Sequence, residues 1–108
     1  MPNYSVELDA VLRALADPTR RAVVERLATS PAVVSDLLAP FAMTLPWLLQ
    51  HLRILEQAQL VATEKVGRVR TCRLETRGLT ALRQWAEDRR STWDKRLDRL
   101  AAMFEEKG

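Results

Sequence analysis

The chain has 108 residues, 47% of them hydrophobic and 29% charged; that is the size of one domain able to bury a core, and the balance excludes a disordered chain. The formal charge is only +3, but the basic residues cluster: Arg53, Lys65, Arg68, Arg70, Arg73 and Arg77 meet only Glu56, Glu64 and Glu75 between them, a place for a polyanion. A lone cysteine, Cys72, excludes an intramolecular disulfide and a thiolate cluster.

In the first segment, Val6 to Ala16, Leu8, Val11, Leu12 and Leu15 recur at helical spacing. It stops at Asp17-Pro18, where the carboxylate can cap a second helix and proline suits its first position. That helix is predicted over 18–28, with Val23, Val24 and Leu27 on one face and Arg20, Arg21, Glu25 and Arg26 turned largely away. Thr29-Ser30-Pro31 breaks the chain, and Val33, Val34, Leu37 and Leu38 form a short third helix ending before Pro40. A turn of a few residues leads to a fourth, amphipathic helix in the stretch 43–56. A short helix, a tight turn and a longer helix make a helix-turn-helix candidate.

After Ala58-Gln59 the period changes to about two. The stretches 60–66 and 68–74, rich in β-branched residues, flank Gly67 and predict a hairpin with arginines at its tip. Helical spacing returns at Thr76 or Gly78 and continues to about Glu106. Leu82, Trp85, Ala86, Trp93, Leu97, Leu100, Ala101 and Phe104 form its apolar stripe. A helix about 40 Å long at about 1.5 Å per residue is too long to hide that stripe on so small a domain, which calls for a second copy of the chain. No repeat or linker divides the sequence, so residues 1–108 are expected to form one domain, with residues 79–106 as its dimerisation helix.

The expected fold is mostly α with a small β-hairpin, in winged helix-turn-helix order. In that arrangement one helix enters the major groove and the hairpin wing reaches the backbone or the minor groove. The stretch Ala14-Leu-Ala-Asp-Pro-Thr-Arg-Arg-Ala22, then Met43-Thr-Leu-Pro, His51-Leu-Arg-Ile-Leu-Glu56, Leu60-Val61 and Gly67-Arg-Val-Arg-Thr71, resembles the ArsR-type family of small bacterial transcriptional repressors. The resemblance covers the chain up to about Leu74. It implies a dimer joined through the first and last helices, the fourth helix as recognition helix, and repression by operator occupancy. The interface residues expected on that basis are Leu8, Leu82, Trp85, Trp93, Leu97, Leu100 and Phe104.

Founding members of that family sense metals, and this chain is poorly equipped to do so. It has one cysteine and one histidine, no Cys-x-Cys in the third helix, and no histidine in the last. Thiophilic or zinc sites need several such ligands around one ion, so the resemblance is to the branch without the metal motifs, and no metal or cofactor is expected. Cys72 has two readings, a redox switch across a dimer or a small buried residue on a strand. No Gly-rich phosphate loop or nucleophile elbow occurs, and no catalytic residue is assigned.

On the fourth helix, Leu45, Leu48, Leu49, Leu52 and Leu55 gather on one face and leave Pro46, Trp47, Gln50 and Ile54 on the other. Gln50 suits bidentate pairing with adenine, Thr44 and Arg53 suit bases or phosphates, and His51 suits a phosphate or a structural contact. Arg68 and Arg70 complete the candidate DNA-binding set. Trp47 departs from the small residue that the family pattern would place there; its ring either presses on the DNA or folds back on the protein. The leading function is thus a homodimeric, operator-binding repressor. The alternative is a winged-helix protein that offers Trp47, Trp85 and Trp93 to a protein or small-molecule partner instead. No residue set defines an effector. The opening Met-Pro-Asn-Tyr-Ser-Val lacks the pattern of a secretory leader, and no stretch approaches about 20 apolar residues, so a cytoplasmic location away from membranes is expected.

Overall fold

A computed structural model describes residues 4–106; residues 1–3 and 107–108 of the expected domain lie outside the described residues. The elements are α1 (Tyr4–Leu15), α2 (Pro18–Thr29), β1 (Ala32–Val33), α3 (Val34–Leu38), α4 (Leu45–Gln57), β2 (Val61–Val66), β3 (Val69–Leu74) and α5 (Arg77–Glu106). Among the described residues no helix is long and apolar enough to cross a membrane.

The hairpin β2–β3 pairs antiparallel from Val61 opposite Leu74 to Val66 opposite Val69. Gly67 takes φ +62° at the first of the two turn residues, where a hairpin turn matched to the strand twist favours glycine. The sheet has a third strand that periodicity did not predict. β1 pairs antiparallel with β3, Ala32 opposite Cys72 and Val33 opposite Thr71, giving the order β1-β3-β2. Val33, expected in the third helix, is therefore a strand residue. A strand of two residues is too short to carry a period, and its pairing is visible only in three dimensions.

The core is built where all layers meet. Val11 of α1, Val23 and Leu27 of α2, Leu37 of α3 and Leu48, Leu52 and Leu55 of α4 close on Leu60, Val61 and Cys72 of the sheet side. One leucine assignment changes. Leu45, expected on the inner face of α4, is 45% exposed, because the helix begins there and overhangs the core. Leu12 of α1 is likewise exposed. Ile54, expected outside, is instead half-buried and packs on the core.

The turn after α4 determines where the sheet starts. Gln59 takes φ +58°, the Leu60 amide donates to the Leu55 carbonyl at 2.9 Å, and the Gln59 amide donates to the Glu56 carbonyl at 3.0 Å. This is a Schellman ending, flanked by the fully buried Leu55 and Leu60, with glutamine where glycine is usual. The same turn receives α5. The Gly78 amide donates to the Gln59 carbonyl at 2.9 Å, and a Cβ at Gly78 would stand 2.5 Å from the Ala58 carbonyl oxygen. Only glycine lets α5 approach so closely.

Helix α5 has 30 residues and gives the molecule extents of 70 × 30 × 21 Å. Its first turns pack on α1, with Ala81 buried and Leu82 half-buried against the core. From Ala86 to Glu105 every residue is exposed. Leu8, expected at a dimer interface, is only 7% exposed within the single chain. Its side chain already faces inward and has almost no surface left for a partner.

A left-handed conformation costs a non-glycine residue about 1–2 kcal/mol. Gln59→Gly is therefore expected to raise the unfolding free energy by about 1 kcal/mol in urea titration, whereas Gly78→Ala is expected to lower it.

Candidate nucleic-acid interface

The position of α4 originates one corner away, between α1 and α2. Asp17 is the N-cap of α2, its Oδ2 accepting from the Arg20 amide at 3.0 Å, and Pro18 opens the helix. The side chains that follow turn back rather than out. Arg20 Nε donates to the Ala14 carbonyl at 2.6 Å and its Nη2 to the Arg13 carbonyl at 3.0 Å. Arg21 Nη1 donates to the Leu15 carbonyl at 2.6 Å. The two arginines thus satisfy the last carbonyls of α1, groups that a helix end leaves without partners. Arg20, expected to face largely away, is half-buried, because amphipathic spacing does not register a carbonyl-capping role.

The third arm of Arg20 reaches α4. Its Nη1 lies 3.3 Å from His51 Nδ1. A guanidinium only donates, so Nδ1 is the acceptor in this contact. Asp17 Oδ2 is 3.9 Å from the same Nδ1. Of the two roles read for His51, this geometry favours the structural one: its side chain is 14% exposed and directed at α2. The hydrogen bond from the Arg20 amide holds the Asp17 carboxyl below its ordinary value against the opposing effect of burial, and the Arg20 charge adds to the lowering.

At its other end α4 is tied to the sheet by the Thr63 hydroxyl, which donates to Glu56 Oε1 at 2.6 Å. Thr63 stands opposite Cys72 in the ladder. The Cys72 thiol is fully buried, and desolvation, with the nearby Glu56 charge, pushes its pKa up. That environment favours the inert thiol over the reactive thiolate. Among the described residues no group of three or more His, Cys, Asp or Glu side chains is placed to hold a metal ion.

Between these ties α4 is held down by buried Leu48, Leu52 and Leu55. Thr44 is its N-cap, the hydroxyl accepting from the Trp47 amide at 3.4 Å. Thr44, Pro46, Trp47, Gln50 and Arg53 are exposed. The Trp47 ring is 62% exposed and its centroid lies 6.3 Å from that of His51, at an interplanar angle of 31°. It stands outward above His51 and does not fold into the core. On the wing Arg68 is exposed and Arg70 half-buried, and both border a groove whose opposite wall contains Leu45 and Leu49 of α4. Among the described residues the carboxylates within 4.0 Å of a basic side chain are Asp17, beside the His51 ring, and Asp94, beside Arg90, so neither wing arginine has one.

The arrangement of a capped, outward helix beside a cationic hairpin has many counterparts. The helix-turn-helix domain family matches residues 15–64. Over 100 residues the chain is 38% identical to the HTH-type transcriptional regulator Rv2034 of Mycobacterium tuberculosis, covering 93% of this chain and 91% of that protein. An ArsR family transcriptional regulator of known crystal structure is 44% identical, with a TM-score of 0.82 over 87% of this chain and 97% of the other. The chain belongs to the ArsR family of transcriptional regulators. An ArsR-like regulator from Rhodococcus superposes with a TM-score of 0.79 at 28% identity, over 93% of this chain and 92% of its own. As an ArsR-family winged helix-turn-helix protein, the chain is a DNA-binding transcriptional regulator.

The capping network gives a pH-dependent expectation for this regulator. A depressed carboxyl pKa contributes stability that is present above the unfolded value, about 3.9, and is lost as pH falls through the folded value. Asp17→Ala is expected to cost about 1 kcal/mol at neutral pH. In urea titrations across an acid series, the difference between Asp17→Asn, which caps without titrating, and wild type should change only on that acid limb.

Proposed function

We propose that the protein is a homodimeric repressor that acts by occupying its operator, with the N-terminal half of α4 in the major groove and the wing on the phosphate backbone or in the minor groove. The observation that carries this reading is the division of α4. Three leucines fix one side in the core, while Thr44, Pro46, Trp47, Gln50 and Arg53 form an exposed row on the other. Gln50 reads a base edge, Thr44 and Arg53 serve bases or phosphates, and Pro46 and Trp47 supply apolar contact to sugars or thymine methyls. Arg68 and Arg70 supply charge to phosphates. His51 acts one step back by fixing the helix against Arg20. Such a regulator works in the compartment that holds the DNA, which here is the cytoplasm.

Dimerisation is supported by the second half of α5. Trp93, Leu97, Leu100 and Phe104 are between 50% and 72% exposed on one helix, and Trp85 continues the stripe inward. An apolar strip of this size is costly to leave in water, and a two-fold pairing of the strip with its copy covers both. Leu8 and Leu82 support α5 from within each chain.

Two measurements test the reading. On replacing Arg68 or Arg70 with alanine, binding should weaken on all DNA alike, and the salt slope should flatten by about one unit for each phosphate left without its cation. Gln50→Ala should instead cost about 1–3 kcal/mol on the preferred operator and little on random DNA. Gel shifts of the chain's own upstream DNA across a salt series distinguish the two. In sedimentation the wild type should be a dimer at micromolar concentration, and Leu97→Glu combined with Phe104→Glu should give monomers or insoluble protein. A stable wild-type monomer refutes the architecture.

A further inference from the structure

The wing does not lie flat on the helix-turn-helix. Between them is an open groove of about 580 Å³, within the roughly 300–1,000 Å³ typical of small-molecule sites. Its floor is apolar: Val33, Val34 and Leu38 from β1 and α3, and Leu45 and Leu49 from α4. Its wing-side wall is cationic, formed by Lys65, Arg68 and Arg70 around Val69, and no carboxylate lines it.

Two features of that wall point to an anion. Lys65 stands directly opposite Arg70 in the β2–β3 ladder, a pairing of like charges that repels. Neither has a carboxylate within 4.0 Å among the described residues. A DNA phosphate relieves that repulsion but gives the leucine and valine floor nothing to bury. A molecule with an anionic head and an apolar tail satisfies both, the head between the opposed cations and the tail along α3 and α4.

We propose that this groove binds an amphipathic organic anion, a carboxylate carrying an unbranched alkyl tail, and that this ligand and DNA exclude one another. The second clause rests on the DNA-binding reading above, because the groove is bordered by the wing arginines and by the first residue of the recognition helix. A carboxylate seated there neutralises charge that the phosphates need and places a tail beside the start of α4.

The probe is decanoate, below its micellar concentration, with decanol and inorganic phosphate as controls. Isothermal titration calorimetry without DNA is expected to show saturable binding of one decanoate per chain. Decanol should bind at least about tenfold more weakly, a margin equivalent to one charge-assisted contact. Phosphate alone should give no comparable heat. Ser35 lines the groove from α3 and is exposed; Ser35→Phe fills the space and should weaken decanoate by at least about tenfold. Lys65→Gln removes half of the opposed pair without adding bulk and should weaken decanoate but not decanol. Amide shifts in NMR should centre on Val34, Leu49 and Val69. Absence of saturable binding overturns the site. So does equal affinity for decanol, or affinity unchanged in both variants, the outcome expected if the tail settles on the exposed α5 stripe.

Gel shifts then test exclusion. Decanoate should raise the apparent Kd for operator DNA in wild type and not in Ser35→Phe. Decanoate binding without any change in DNA affinity overturns the exclusion clause. A chain that binds decanoate but no DNA refutes the repressor reading and the exclusion clause with it, while the calorimetric site stands.

Discussion

Arg20 is the constraint on which the arrangement of the helices depends. One guanidinium closes the C-terminus of α1 through two carbonyls and touches α4 at His51, while the backbone amide of the same residue is held by the Asp17 cap. A rigid planar fork makes those directions interdependent. The angle between α1 and α2 and the rotation of α4 about its axis therefore share one fastener. Leucine packing alone leaves a helix free to slide or roll by small amounts at low cost, and directional hydrogen bonds remove that freedom. The Thr63–Glu56 bond does the same at the far end of α4, so the exposed face is aimed from both ends.

Much of this was legible in the sequence, and the failures have physical causes. The helices and the hairpin followed from period, Pro18, Gly67 and the Asp17 cap, which are local signals. What escaped is non-local. β1 has only two residues, and its strand character lies in Cys72 and Thr71, some forty positions away. Arg20 and Arg21 read as solvated charges because a helical wheel has no place for the carbonyls of the preceding helix. Leu45 and Ile54 exchanged environments because the wheel assumes a core of equal depth along α4, whereas the first turn overhangs it. Leu8 was assigned to a partner on resemblance, and the single chain buries it first.

The outward row of α4 was legible as a face, but the state of Trp47 was not. Its spacing fitted contact with DNA and packing on the protein equally. The decision comes from the neighbouring histidine: with His51 drawn toward Arg20, the tryptophan is left above it with no pocket to enter. A large exposed ring at the start of α4 is a narrow instrument. It has more apolar area than a serine or alanine in that place and less tolerance for the width of what it meets.

The short strand β1 has a mechanical consequence. By pairing with β3, it stitches the root of the wing to the segment that leads directly into α3. The hairpin cannot hinge away from the helix-turn-helix without breaking those pairs, so its base and α3 move together as one stiff body. A printing block differs from a pair of tweezers in the same way: all raised characters arrive in fixed register. For a DNA-binding protein that stiffness lowers the entropic cost of association, at the expense of adapting to DNA whose grooves are spaced differently.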